Sequence, residues 1–208
     1  MKCTLCGENT RLLATYINKD YFKCGPCGSV LMSPEFYLTP EAEEKHYLSH
    51  NNDINDPRYK NFVSPVTSAI SGFFKCDQSG LDYGCGAGPV AAVELEKLGY
   101  TVKLFDPFFH NFPNVLYDTY HFIICCEVME HFHNPHREFE LLYNLLKPGG
   151  KLYCKTSLYT EDLDFRSWYY KNDPTHVFLY SPKSLEWIKT NFGFKGLCIE
   201  PKLITFEK

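Results

Sequence analysis

Two short cysteine pairs near the N-terminus constrain the fold of this chain most strongly. Cys3 and Cys6 stand in one CxxCG sequence, and Cys24 and Cys27 stand in a second. Two thiolate pairs at this spacing can close a tetrahedron around one zinc ion; a redox dithiol pair or an iron site is the alternative. So short a segment has too little core to fold without a staple. The pattern predicts a zinc ribbon over residues 1–33, whose four-ligand zinc is structural and not catalytic.

The composition is that of a globular protein. The sequence has 208 residues, of which 44% are hydrophobic and 22% charged. The formal net charge of -4 provides no bulk basic field, which argues against a nucleic-acid partner. We find no signal peptide and no apolar stretch long enough to span a membrane. The 10 cysteines show metal spacing or lie scattered in apolar runs. Together these features predict a cytoplasmic protein without a membrane partner.

A glycine turn near the middle of the chain follows a short apolar strand. The sequence LDYGCGAG runs from Leu81 to Gly88. Such a turn lets the backbone approach a ligand at a helix N-terminus, although a packing turn without a ligand is the alternative. It is not the dinucleotide pattern, because the third glycine comes one residue early. The next strand ends in Asp106, whose carboxylate can accept hydrogen bonds from both ribose hydroxyls. The two features predict a nucleoside-binding site.

Strand and helix patterns alternate over residues 77–160. Predicted strands cover residues 80–83, 101–105, 114–116, 120–126 and 151–155, and predicted helices cover residues 90–98 and 135–146. A helix over 182–191 and two closing strands near 195–200 and 203–206 follow. This order predicts an α/β fold with a Rossmann-like, doubly wound and mostly parallel sheet over residues 77–208.

Residues 34–76 form a predicted helical connector between the two modules. Thr39 and Pro40 are typical of a helix start, and a second helix is predicted over residues 62–74. A polar loop beginning at His50 and Asn51 separates the two helices. These two residues either belong to a lid over the cofactor or lie in a solvated connector.

Taken as a set, these motifs resemble those of class I S-adenosylmethionine-dependent methyltransferases. Beside the glycine turn and the acidic residue after the second strand, the chain has YHFII at 120–124, EVMEH at 127–131 and LLKPGG at 145–150. His121 stands where the family usually has Asp, and the span between Asp106 and Tyr120 is short for the usual helix. With the two cysteine pairs, the whole chain is similar to a bacterial group that carries an N-terminal zinc-ribbon-like segment.

The resemblance implies S-adenosylmethionine as cofactor, together with structural Zn²⁺. Residues of the glycine turn would lie along its methionine part: Asp82, Tyr83, Gly84, Cys85, Gly86 and Gly88. Asp106 would hold the ribose, and Pro107 and Phe108 would flank the adenine. Cys126 and Glu127 would face the positive sulfur, which needs no catalytic metal.

Three residues are candidates for acid–base chemistry on the acceptor. His176 follows the fifth strand, and Asp173 could orient its ring. Glu130 and His131 follow the fourth strand, at the edge where ligands bind in open α/β folds. Packing or capping roles are the alternatives for both histidines. Tyr169 and Tyr170 either position the substrate or belong to the core.

The predicted function is methyl transfer from S-adenosylmethionine to a small polar metabolite, for example a sugar. One alternative is an RNA or protein methyltransferase that docks its substrate on the zinc ribbon. Another is a non-catalytic cofactor-binding protein. The sequence leaves the acceptor atom, the choice of base and the oligomeric state open.

Overall fold

The structure is a computed structural model that describes residues 1–50 and 53–208. Asn51 and Asn52, which belong to the predicted polar loop and candidate lid, lie outside the described residues. The strands are β1 (Thr10–Tyr16), β2 (Lys19–Cys24), β3 (Val30–Met32), β4 (Gly80–Tyr83), β5 (Val102–Phe105), β6 (Tyr120–Cys126), β7 (Leu146–Lys155), β8 (Phe178–Leu179), β9 (Gly196–Glu200) and β10 (Leu203–Glu207). The helices are α1 (Pro40–Leu48), α2 (Pro57–Phe73), α3 (Val90–Lys97), α4 (Pro135–Leu145) and α5 (Pro182–Phe192).

The main sheet has six strands in the order β5-β4-β6-β7-β10-β9. The four strands β5, β4, β6 and β7 are mutually parallel, and β10 and β9 close the sheet in antiparallel pairing. Helices α2 and α3 pack on one face, whereas α4 and α5 pack on the other. This mixed, mostly parallel α/β sheet confirms the predicted fold class.

Strand β6 shows how the sequence specifies a sheet that is covered on both faces. Phe122 and Ile124 belong to the apolar cluster under α2 and α3. Ile123 and Cys125 belong to the opposite cluster, under α4 and α5. Side chains alternate between faces along a strand, so the apolar run from Phe122 to Cys125 must be buried on both sides.

The N-terminal residues form a separate antiparallel sheet in the order β1-β2-β3-β8. Its fourth strand, β8, comes from far along the chain, and Leu31 of β3 pairs with Phe178 of β8. Both side chains are buried in the apolar cluster that also holds α4 and α5. The cysteine-bearing sheet is therefore packed into the core of the protein. The domain boundaries at residues 33 and 76 stay a prediction.

Several local predictions hold and others need correction. Helix α1 begins after Thr39, whose side chain accepts a hydrogen bond from the Ala42 amide, as predicted. Helix α2 begins five residues earlier than predicted, because Asp56 caps it and Pro57 fits its first turn. The predicted strand over 114–116 is wrong. A 3-10 helix occupies Pro113–Tyr117, where the initial proline fixes φ and lacks the amide proton of a strand ladder.

Strand β7 starts directly after α4, so the predicted strand over 151–155 extends back through residues 146–150. Within the described ranges, no helix has both the length and the apolar character needed to cross a membrane.

Substitution of Gly80 tests the packing between the main sheet and its helices. A Cβ atom at this position would lie 1.9 Å from the Phe122 ring, which is fully buried and contacts the rings of Phe74 and Tyr100. We expect Gly80→Ala to lose about 1–3 kcal/mol of unfolding free energy, as overpacked cores do, in urea titrations. Gly72→Ala in α2 is the matched control, because its Cβ would meet nothing within 4 Å. We expect it to be neutral or to gain about 0.4–1 kcal/mol. Equal stabilities would contradict this packing.

Candidate functional site

An open cavity of about 920 Å³ lies at the carboxyl ends of the parallel strands. Strand β4 connects through α3 to β5 on one side, and β6 lies on its other side, so the strand order reverses at β4. Open α/β sheets bind ligands in the crevice at such a point. The volume lies within the range of about 300–1,000 Å³ for sites that enclose small organic ligands.

The glycine turn forms one wall of this cavity. Gly84 and Gly86 have φ values of 76° and 65°, in the left-handed region that favours glycine. A Cβ atom at Gly84 would lie 2.4 Å from Val128, whereas at Gly86 it would point into open space. The turn therefore leaves a cradle that a side chain at residue 86 would fill, which is what close approach of a ligand to backbone requires.

Asp106 holds the cradle in shape. Its Oδ2 accepts a hydrogen bond of 2.9 Å from the Gly86 amide, and its Oδ1 accepts from the amides of Phe108 and Phe109 at 2.9 and 3.0 Å. A carboxylate offers about four lone-pair sites, and three are used here. One ribose hydroxyl can donate to the remaining lone pair. A second ribose hydroxyl could donate to Asp106 only if one of the three backbone amides gave up its hydrogen bond.

The structure brings the sequence-predicted cofactor residues together. All of them line the cavity: Asp82, Tyr83, Gly84, Cys85, Gly86, Gly88, Asp106, Pro107, Phe108, Cys126 and Glu127. Asp82 is buried, and this burial together with nearby Asp106 raises its pKa to about 7. The Tyr83 ring stacks on Phe105, and its hydroxyl donates to Glu138 of α4.

Two glutamates after β6 share one tyrosine. The Tyr170 hydroxyl lies within hydrogen-bond distance of Glu127 Oε2, at 3.1 Å, and of Glu130 Oε1, and its single proton is available to either carboxylate. Burial raises the pKa of both carboxyl groups to about 7, and for Glu127 the neighbouring Glu130 adds to the effect. Lys155 opposes the rise at Glu127, with 3.6 Å between Nζ and Oε1. Glu127 also has a φ of 53°, a strained conformation that is frequent at functional sites.

The candidate histidines lie side by side. Their ring centroids are 4.9 Å apart, and both rings line the cavity. His131 Nδ1 lies 3.0 Å from the Thr175 carbonyl oxygen, and His176 Nδ1 lies 2.6 Å from that of Tyr170. A carbonyl oxygen only accepts, so Nδ1 carries the proton in both rings and Nε2 has the lone pair.

Burial keeps both rings neutral near pH 7. Burial lowers the pKa of His131. Burial and the neighbouring His131 ring together lower the pKa of His176 to about 4. The expected orienting role of Asp173 is not what the structure shows. Its carboxylate accepts from Thr175 and contacts His46 Nε2, and it lies 3.9 Å from His176 Nε2. The Tyr170 carbonyl orients the His176 ring instead.

Helices α1 and α2 supply cavity residues that the sequence reasoning missed. They are Glu43, Tyr47, Tyr59, Phe62 and Val63. The Tyr47 hydroxyl donates to Glu43 Oε1 at 2.7 Å, and the Tyr47 ring lies between Phe108 and His131. The spacing of four residues between Glu43 and Tyr47 on one helix face was the available signal.

The four ribbon cysteines converge on one point. The Sγ atoms of Cys3 and Cys27 are 3.6 Å apart, those of Cys6 and Cys24 are 3.3 Å apart, and all four lie within 4.8 Å of one another. Zn–S bonds of about 2.3 Å require sulfurs about 3.8 Å apart. The donor set therefore fits a zinc ion.

The fold of this chain is similar to the folds of solved methyltransferases. Human N-acetylserotonin methyltransferase, solved with S-adenosylmethionine, matches with a TM-score of 0.54 at 18% identity, over 72% of this chain and 53% of that one. A putative O-methyltransferase from Nostoc punctiforme matches with a TM-score of 0.53 at 14% identity, over 73% and 57%. An S-adenosylmethionine-dependent methyltransferase from Archaeoglobus fulgidus matches with a TM-score of 0.54 at 18% identity, over 72% and 94%.

These similarities concern the fold. The chain spans little more than half the length of the human and Nostoc proteins. No curated protein matches the sequence of this chain significantly.

The model of a methyltransferase-domain family matches residues 55–199, which is well over half of the chain. The match includes the glycine turn, Asp106 and the glutamate pair after β6. The chain therefore belongs to the methyltransferase-domain family, and it carries an N-terminal four-cysteine cluster.

Proposed function

We propose that this protein transfers the methyl group of S-adenosylmethionine to an oxygen or nitrogen atom of a small polar metabolite. The observation that carries the proposal is the arrangement of one cavity. The glycine cradle and Asp106 form one wall, and His131 and His176, whose Nε2 atoms lie within 4.0 Å of the buried Glu130 carboxylate, form another. A donor and an acceptor bound between these walls would meet inside one cavity.

The wall formed by the glycine cradle and Asp106, called here the donor wall, binds and orients the cofactor. The turn of Gly84 and Gly86 would follow the methionine part, with Asp82, Tyr83, Cys85 and Gly88 beside it. Asp106 would hold the ribose, and Pro107 and Phe108 would flank the adenine, where an aromatic ring can stack. Cys126 and Glu127 would lie nearest the positive sulfur.

The wall formed by His131 and His176, called here the acceptor wall, is where the acceptor loses one proton. When bound, S-adenosylmethionine supplies an electrophilic methyl group whose carbon–sulfur electron pair stays on sulfur. The cluster of Glu130, His131 and His176 removes the acceptor's proton, so that the lone pair of the acceptor can form the new bond to carbon. Most of the rate enhancement would come from holding the two partners in line.

A small acceptor fits this geometry better than a macromolecule. The Tyr47 ring of α1 contacts both Phe108 and His131, so the helix bridges the donor and acceptor walls. Strand β3 of the ribbon pairs with β8, so this edge of the ribbon is not available to dock a macromolecular substrate. We therefore propose that the ribbon supports the site and that its zinc, held by Cys3, Cys6, Cys24 and Cys27, is structural. A metabolite extract incubated with methyl-labelled S-adenosylmethionine tests the function, and no labelled small product would contradict it.

Metal analysis tests the zinc proposal. We expect about one zinc per chain in protein purified without chelator, as in four-cysteine structural sites. Cys24→Ala with Cys27→Ala should lose it. Cys76→Ala with Cys198→Ala is the matched control, because both of these cysteines are exposed and lie outside the cluster. Equal zinc content in the two double variants would disprove the assignment.

Calorimetry with S-adenosylhomocysteine tests the ribose contact. Asp106→Ala removes a charge-assisted acceptor and releases the Gly86 amide. Hydrogen bonds to charged groups contribute about 1.5–3 kcal/mol each, so we expect at least a tenfold weaker affinity. Asp118→Ala, exposed and outside the cavity lining, should bind as the wild type does. Unchanged affinity in folded Asp106→Ala would move the ribose elsewhere.

Turnover of the identified acceptor tests the acceptor wall. His176→Ala should keep its affinity for S-adenosylhomocysteine and lose about 10²–10⁴-fold in turnover, the usual contribution of acid–base groups. The loss should shrink at high pH, where the acceptor ionises unaided. His121→Ala serves as control, since this ring lies at the opposite end of β6 and accepts from the Ser79 amide. Similar small effects in both variants would mean that His176 only packs.

A further inference from the structure

Glu130, His131 and His176 bring three potential ligand atoms together on the acceptor wall. Glu130 Oε1 lies 3.9 Å from His176 Nε2 and 4.0 Å from His131 Nε2. The three ligand atoms lie within 4.8 Å of one another. These distances are too long for hydrogen bonds. They slightly exceed the roughly 3–3.5 Å between ligands of an ion with bonds of about 2.0–2.1 Å, so small side-chain movements would close the site.

Each ligand atom is held in place by an outer partner. Both rings donate Nδ1–H to backbone carbonyls, of Thr175 and Tyr170, and therefore present Nε2 lone pairs. Metal-binding histidines typically show this arrangement, in which the second ring nitrogen donates to a carbonyl or carboxylate. Glu130 Oε1 in turn accepts from the Tyr170 hydroxyl. The three side chains are oriented before any ion binds.

The charge of the buried carboxylate calls for compensation. The Glu130 side chain is fully buried, and within the described part of the chain its Oε2 has no hydrogen-bond partner. Glu127 adds a second carboxylate through the shared Tyr170 hydroxyl. Buried charges in proteins are paired or coordinate metals. The neighbouring histidines do not neutralise the Glu130 carboxylate, because both rings are uncharged and carry a lone pair rather than a proton on Nε2.

We propose that Glu130, His131 and His176 bind one divalent first-row transition-metal ion, and that a hydroxyl of the acceptor completes its coordination. Two imidazoles and one carboxylate suit such ions and leave open positions for a substrate oxygen. With the ion bound, the Nε2 lone pairs are engaged and no longer take the proton directly, so the bound hydroxyl releases its proton to water at the open cavity. Its oxygen then bonds to the methyl carbon as the carbon–sulfur bond breaks. The role of the ion rests on the proposed methyl transfer, whereas its binding does not. The proposal departs from the sequence-based expectation that no catalytic metal is needed.

The neighbouring cluster of His46, His50 and Asp173 provides an internal comparison. Its ligand atoms are also close together. However, Asp173 Oδ1 already accepts from the amide and hydroxyl of Thr175, and His46 Nε2 contacts the same carboxylate at 3.1 Å. Asp173 and His46 thus satisfy each other without an ion.

Cobalt titration of the full-length, zinc-loaded protein tests the proposal without reference to activity. Co²⁺ binds more weakly than Zn²⁺ to a given site, so it should leave zinc in the cysteine cluster. We expect one further Co²⁺ per chain by calorimetry, with visible d–d bands and no thiolate charge-transfer band. His131→Ala, His176→Ala and Glu130→Gln should each weaken this binding at least tenfold, whereas His46→Ala should retain it.

The remaining outcomes separate the proposals. Absence of Co²⁺ binding, thiolate bands, or loss of the ion in His46→Ala with retention in His176→Ala would overturn the metal site. S-adenosylhomocysteine affinity, measured in the same samples, reports on folding and on the donor wall. Wild-type protein that binds S-adenosylhomocysteine but not Co²⁺ would overturn only the metal site. Wild-type protein that binds Co²⁺ but not S-adenosylhomocysteine would overturn only the proposed methyl transfer.

Discussion

The pairing of β8 with β3 is the contact on which the arrangement of the site depends. Val30 pairs with Leu179, and the Met32 amide donates to the Val177 carbonyl at 2.9 Å. The Val177 amide in turn donates to the Glu130 carbonyl at 3.0 Å. A continuous set of backbone hydrogen bonds therefore runs from the cysteine-bearing sheet to the acceptor wall. The cysteine-bearing sheet therefore supports the segment around Val177 and, through it, the backbone of Glu130.

Local sequence signals predicted those parts of the fold that depend on neighbouring residues. The capped start of α1 and the alternation of strands with helices depend on residues close in sequence, and the structure confirms them. The two cysteine pairs are distant from each other in sequence, but the spacing within each pair indicated a shared site, and the structure brings the four Sγ atoms together. Strand β8 could not be predicted, because two residues carry no periodic pattern and their partner lies far away in the chain. The wrong strand over 114–116 had the right composition, but Pro113 before it favoured a tight turn.

The candidate site divides in the same way. The predicted cofactor residues follow the ends of parallel strands, and such ends necessarily meet at one edge of a sheet, so their convergence could be foreseen. The contribution of Tyr47 could not, because it depends on how α1 packs across the cavity. The orientation of the His176 ring could not be predicted either. Asp173 lies close to His176 in sequence, yet His176 Nδ1 faces the Tyr170 carbonyl.

The late arrival of β8 affects how the chain matures during synthesis. The four cysteines precede Phe178 and Leu179 by about 150 residues, so they leave the ribosome well before the strand that completes their sheet. The edge of β3 therefore stays unpaired until Phe178 and Leu179 have been made. The hydrogen bond from the Tyr21 hydroxyl to the Lys171 carbonyl, 150 residues away, also forms only then. An exposed strand edge invites pairing with other chains.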